Sequence, residues 1–157
     1  MDGFSFRHLF GRKREPSVPN ERRAKERVPP RPDETILIVD DSRTVVHFLR
    51  NLLQQDGYTT LTAGTGEDAV QIAQQQRPAL ILMDIIMPGL NGFQATRLLR
   101  KDPRTQHIPI ILISGTEQPT EMVWGRRMGA NDFLPKPIER GSLFPKIEAL
   151  LRQPHVA

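Results

Sequence analysis

From Thr35 onward the chain alternates between short continuous apolar runs and longer stretches in which apolar residues recur every three to four positions. The runs Ile36–Val39, Leu80–Met83 and Ile108–Ile113 are each the length of a strand covered on both faces. Weaker strand signals lie at Tyr58–Thr62 and Asp132–Leu134. Between them, Val45, Val46, Phe48, Leu49, Leu52 and Leu53 fall on one helical face, as do Ala69, Val70, Ile72 and Ala73. Phe93, Ala95, Thr96, Leu98 and Leu99 predict a third helix and the stretch from about Thr120 to Met128 a fourth. Leu143, Ile147, Leu150 and Leu151 predict a fifth. Gly57 and Gly129 stand where helix-ending glycines belong.

Five strand–helix repeats predict an α/β fold, a doubly wound parallel sheet with helices on both faces. Two prolines test this. Pro135 would be awkward in a central strand, so the last strand is expected at an edge. Pro145 would interrupt a helix interior, but with Ser142 as the N-cap it falls in the first turn, where N–H groups lack partners anyway.

Ahead of this pattern the texture is different. From Arg12 to Asp33 the chain is charged and interrupted by Pro16, Pro19, Pro29, Pro30 and Pro32, with only Val18 and Val28 as aliphatics larger than alanine. Such a segment buries too little apolar surface to offset its ordering entropy, which predicts a disordered linker. We therefore divide the chain into a basic, proline-rich extension, 1–34, and a folded domain, 35–153. At the start, Phe4, Phe6, Leu9 and Phe10 lie beside Arg7, Arg12, Lys13 and Arg14. Either a weak membrane-surface or partner-binding element or a frayed terminus fits that pattern.

Hydrophobic residues make up 38% of the 157-residue chain, lean for a fully packed one, which agrees with that division. The net charge of +4 first suggests a nucleic-acid partner. Its distribution argues otherwise. Residues 1–34 hold nine Lys/Arg against six Asp/Glu, and the remainder thirteen against twelve, so the domain is nearly neutral. No effector domain for DNA is expected after the last helix. The absence of cysteine excludes disulfides and thiolate metal sites. No apolar run reaches the roughly 18 residues of a membrane span, and the N-terminus lacks the long apolar stretch of a secretory signal. A soluble cytoplasmic protein is the expectation.

In an open parallel sheet, ligands gather outside the carboxyl ends of the strands. There the sequence puts Asp40 and Asp41 after the first strand, Asp84 at the end of the third, Ser114 at the end of the fourth and Lys136 after the fifth. Each alone has an ordinary reading: Asp41 or Ser42 as a helix cap, Ser114-Gly115 as a turn, Lys136 as a solvated charge. Together they do not. Crowded carboxylates raise one another's pKa unless a cation is present, and Mg²⁺ prefers a few carboxylate oxygens with water and phosphate oxygens. A carboxylate beside Mg²⁺ and a lysine is also a nucleophile suited to phosphorus, giving an aspartyl-phosphate. The Ser114 hydroxyl can hydrogen-bond such a phosphate, and Gly115 leaves room for the donor.

The motifs ILIVDDS, LILMDIIMPGLNGF, IILISGT and FLPKPI, in that order, cover Thr35 to about Leu151. With them the chain resembles the receiver domain of two-component response regulators, the CheY-like family. The resemblance implies strand order 2-1-3-4-5, Asp84 as phosphoacceptor, Asp41 as direct Mg²⁺ ligand, Asp40 acting through water and the Ile86 backbone carbonyl completing the metal shell. It implies Ser114 as the switch hydroxyl, Phe133 as the aromatic that swings inward with it, and Lys136, with a cis Lys136–Pro137 bond, as partner of the phosphoryl group. The output face would be the fourth helix, fifth strand and fifth helix, with Trp124 on it. PGLNGFQATRLLR and VWGRRMGANDFLPKPI resemble the PilH-type receivers of type IV pilus twitching motility. These imply a CheA-like histidine kinase as donor and a downstream protein target. Single-domain receivers usually begin at their first strand, so residues 1–34 depart from the pattern. Ile86 offers no side-chain amide or carboxylate to orient water, so phosphoryl lifetime is expected to depend on Thr116 and on partners.

Other readings make different demands. A flavodoxin-like FMN protein needs a phosphate-cradling loop after the first strand, where VDDSRT would repel a phosphate lacking a metal. A receiver fold used as a non-phosphorylated scaffold would not need the intact acid cluster.

Overall fold

The computed structural model describes residues 34–116 and 118–152. The expected linker and N-terminal apolar element lie outside the described residues. Five strands, β1 (Thr35–Val39), β2 (Thr59–Ala63), β3 (Leu80–Asp84), β4 (Ile110–Ser114) and β5 (Asp132–Pro135), form one parallel sheet in the order β2-β1-β3-β4-β5. Five helices connect and follow them: α1 (Arg43–Gln55), α2 (Gly66–Gln76), α3 (Gly92–Lys101), α4 (Pro119–Met128) and α5 (Arg140–Leu151). Fold class and strand order are as expected, and β5 is the edge strand that Pro135 requires.

Alternate residues of the central strands feed two separate cores. Leu37, Val39, Ile81, Met83, Ile110 and Leu112 face Ala69 and Ala73 of α2 and Ala95 and Leu99 of α3. Ile36, Ile38, Leu80, Leu82, Ile111 and Ile113 face Leu49 and Leu53 of α1 and Leu143 and Ile147 of α5. This is period-two alternation with both faces apolar, so the strands read as unbroken hydrophobic runs. Phe48 and Leu98, assigned to buried helical faces from their spacing, are about half exposed instead.

The fifth helix differs from expectation at its start. Glu139 is the N-cap, and its carbonyl accepts from the N–H groups of both Ser142 and Leu143, so the first turn closes before Ser142 can act as a cap. Pro145 therefore lies inside α5. The carbonyl that would have accepted its missing N–H belongs to Gly141, which is exposed, so water can satisfy it. Glu34, the last residue of the expected extension, is buried, and its carboxylate pairs with Arg152 at 2.7 Å.

Arg100, near the end of α3, fastens the end of the sheet remote from the strands' carboxyl termini. It donates to the carbonyls of Gly129 and Ile108, both at 2.8 Å, and to Asn131 Oδ1 at 2.7 Å. Asn131 Oδ1 in turn accepts from the Ile110 N–H. This bracket ties α3 to the entries of β4 and β5, where those strands begin.

Candidate functional site

At the carboxyl edge, β1 and β3 are neighbours, so the residues after Val39 stand beside Asp84. Asp40 is anchored by its own N–H, which donates to Ala63 O at 3.2 Å, and by Oδ1, which accepts from Ser42 N at 2.9 Å. Ser42 caps α1, its hydroxyl accepting from Val45 N. Of the two residues considered as the cap, it is therefore Ser42 that serves, and Asp41 is left exposed at the mouth of the site.

Asp40, Asp41 and Asp84 each offer a carboxylate oxygen, all within 4.8 Å of one another. Asp40 and Asp84 are buried. Lys136 reaches in from the loop after β5, its Nζ 3.2 Å from Asp84 Oδ1 and 3.4 Å from Asp40 Oδ2. Its backbone N–H donates to Ser114 O at 2.9 Å, and the Lys136–Pro137 bond is cis, as the resemblance implied. One ammonium thus pairs with two members of a cluster of three carboxylates.

The charges shift one another accordingly. Burial, then the Asp40 charge, raise the Asp84 pKa above the ordinary carboxylate range, with Asp41 adding to it, and Lys136 only partly offsets them. Burial works against the Lys136 charge, but Asp84 and Asp40 outweigh it and hold the ammonium above its usual range. Asp40 Oδ2 is buried and receives no hydrogen bond, although Lys136 lies at ion-pair distance. A buried carboxylate oxygen without a donor, in a cluster with excess negative charge, fits a hard divalent cation bound by oxygen ligands.

The floor of the site is backbone. Gly92, first residue of α3, packs so closely that a Cβ would stand 2.5 Å from the Asp84 carbonyl oxygen and 2.9 Å from Ile85 Cα. Gly92 N–H donates to Ile85 O at 2.8 Å, tying the α3 start to the residue after Asp84. Ile86 follows on the surface, 69% exposed.

Ser114 ends β4, the strand next to β3. Its hydroxyl points its hydrogen-bonding capacity at its own loop and at α4: it is bonded to Thr116 O and lies 2.9 Å from Glu121 Oε2. Phe133 of β5 is buried against Gly125 of α4, where a Cβ would come within 2.7 Å of the ring, and Arg126 lies 5.7 Å from the ring centroid. Phe133 is thus buried while Ser114 is engaged with α4. Asp40, Asp41, Asp84 and Lys136 are brought together; Ser114 borders them through the backbone of Lys136, and Phe133 lies off the cluster. Glu121 was not singled out in the sequence, because a lone acid in a helix's first turn is ordinary helix chemistry. Trp124 is 50% exposed, next to the exposed Met122 and Val123.

A family model for the response regulator receiver domain matches residues 36–148. The protein PilH of Pseudomonas aeruginosa is 49% identical over 116 residues, which span 74% of this chain and 96% of PilH. Among solved structures, the Vibrio cholerae chemotaxis protein CheY4 superposes with a TM-score of 0.72 at 28% identity, over 74% of this chain and 98% of that one. The receiver domain of a Pseudomonas aeruginosa sensor histidine kinase, with magnesium coordinated in its active-site cleft, gives a TM-score of 0.72 at 29% identity, covering 76% and 98%.

Proposed function

The chain belongs to the response regulator receiver domain family, and from that premise we propose that it is a phosphorylation switch whose acceptor is Asp84. The observation that carries the proposal is the buried Asp84 carboxylate held 3.2 Å from Lys136 beside two further carboxylates. An Asp84 oxygen forms a bond to the donor's phosphorus as the phosphorus–nitrogen bond to a phosphohistidine breaks, and the freed imidazole takes up a proton from solvent. Lys136 neutralises one of the equatorial phosphoryl oxygens. Asp41 directly, Asp40 through water, Asp84 and the Ile86 carbonyl would hold Mg²⁺, which supplies the remaining charge neutralisation when bound.

The phosphoryl group adds about two negative charges. Ser114 turns to it, and the face made by α4, β5 and α5 changes its affinity for a downstream protein by population shift. Exposed Met122, Val123 and Trp124 on α4 give that face apolar contact area. The extent of identity with PilH favours a CheA-like histidine kinase as donor and type IV pilus twitching as the output. Residues 35–153 form the receiver and 1–34 an extension to it. Action in the cytoplasm is consistent with no helix among the described residues being long and apolar enough to cross a membrane.

Labelled, autophosphorylated CheA-like kinase of a pilus signalling system is expected to lose its phosphoryl group to the wild-type protein and to keep it in the presence of Asp84→Asn. Retention of label on the kinase with both proteins would overturn the proposed donor.

A further inference from the structure

We propose that Glu121, in the first turn of α4, is a positioning residue of this switch: it holds the Ser114 hydroxyl on the α4 side until a phosphoryl group on Asp84 competes for it. The inference rests on the phosphoreceiver reading and adds to it the group that opposes the switch.

A serine hydroxyl has one proton to give and two lone pairs. Here the proton and one lone pair are engaged away from the acid cluster. The Ser114 proton is shared between Thr116 O and Glu121 Oε2, and Ser114 Oγ accepts from Thr116 N–H at 3.1 Å. The same Glu121 oxygen accepts from Thr116 Oγ1 at 2.5 Å, so one carboxylate oxygen gathers both the Ser114 and the Thr116 hydroxyls. Hydrogen bonds to an ionised acceptor are about twice as strong as neutral ones. Ser114 is buried, which strengthens the bond further. For Ser114 to donate to a phosphoryl oxygen it must give up Glu121, and Thr116 must let its loop move.

Phe133 sharpens the assignment. Its ring already lies against Gly125, so the aromatic part of the switch is in place while the hydroxyl is not. What separates this structure from one with Ser114 turned to Asp84 is the pair of contacts from its hydroxyl to Glu121 and to Thr116 O rather than the aromatic.

A competing account of Glu121 is that it merely complements the N-terminal dipole of α4. The two differ in what depends on Ser114. The test is titration of the full chain with beryllofluoride, as a phosphoryl mimic, in the presence of Mg²⁺. Binding is read by Trp124 fluorescence and by the rise in melting temperature. Glu121→Ala is expected to half-saturate at a concentration at least about 10-fold lower than wild type, the factor set by losing one hydrogen bond to a charged group. Glu121→Gln, which keeps an acceptor without the charge, falls between them. In a Ser114→Ala background the effect of Glu121→Ala disappears, whereas a dipole role would leave it unchanged. Equal or weaker binding by Glu121→Ala, or an effect that survives Ser114→Ala undiminished, overturns the assignment. If wild type itself does not respond to beryllofluoride, the phosphoreceiver reading fails and this assignment fails with it.

Discussion

Asp84→Asn is expected to make the cation-free protein more stable at pH 7, even though it removes the phosphoacceptor. Burial is the largest cause of the raised Asp84 pKa, the Asp40 charge the next, and Lys136 offsets them only in part. An acid whose folded pKa lies above its unfolded value binds more protons in the native state, so stability falls as pH rises. The loss begins near the ordinary value of 3.8 and is complete above the raised folded value. At neutral pH the ionised carboxylate is therefore a liability that the fold keeps for its chemistry. Removing it is expected to gain about 0.5–2 kcal/mol, the usual return from relieving a strained functional site. In a domain of this size that is a rise of roughly 2–8 °C in melting temperature. Thermal unfolding of both proteins from pH 3.5 to 8 without divalent cations checks this. The gap should be widest at neutral pH and close toward pH 3.5; a mutant melting below wild type at pH 7 would contradict it.

The largest loss of stability is expected from Gly92→Ala. The new Cβ would meet the Asp84 carbonyl oxygen at 2.5 Å and Ile85 Cα at 2.9 Å, and both are main-chain atoms that cannot rotate away. Relief requires α3 to move off the end of β3, at the expense of the Gly92 N–H to Ile85 O bond. A destabilisation of about 2–4 kcal/mol follows, in the range of overpacking against an unyielding neighbour. Gly64→Ala is the matched control, since nothing lies within 4 Å of its Cβ. Denaturant unfolding should separate the two clearly, with Gly64→Ala within about 0.5 kcal/mol of wild type. Comparable midpoints for both would mean that α3 is not seated on the Asp84 backbone.

Central strands were the most legible part of the chain, because a strand covered on both faces must be apolar at every position. β1 and β3 appear in the sequence as unbroken runs for that reason. β2 was one residue out of register. As an edge strand it is partly exposed, and TTLTA carries little alternation to fix its phase. The start of β4 was read too early because Ile108 is fully buried yet precedes the strand: Pro109 has no N–H, and Asn131 Oδ1 takes the donor of Ile110. Ser142 looked like a cap from composition alone. Whether a serine caps depends on which carbonyl the first turn closes upon, and here it is that of Glu139.

The site was legible to a similar depth. Asp40, Asp41, Asp84 and Lys136 follow strand ends, and a parallel sheet brings strand ends to one edge, so their convergence is a consequence of topology. What distance along the chain could not reveal was the contact between Ser114 and Glu121, seven residues apart across a loop and a helix start. Nor could it reveal that Phe48, in phase with a buried face, would emerge about half exposed. Arg100, one of several basic residues near the end of α3, showed no sign in the sequence of bracketing two strands.

The central claim, that Asp84 is a Mg²⁺-dependent phosphoacceptor, is tested most directly by intact-mass spectrometry after incubation with acetyl phosphate and Mg²⁺. One phosphoryl group is expected on the wild-type chain, with none on Asp84→Asn and none when EDTA is present. A folded wild-type protein that gains no adduct, or an adduct that persists in Asp84→Asn, would contradict it.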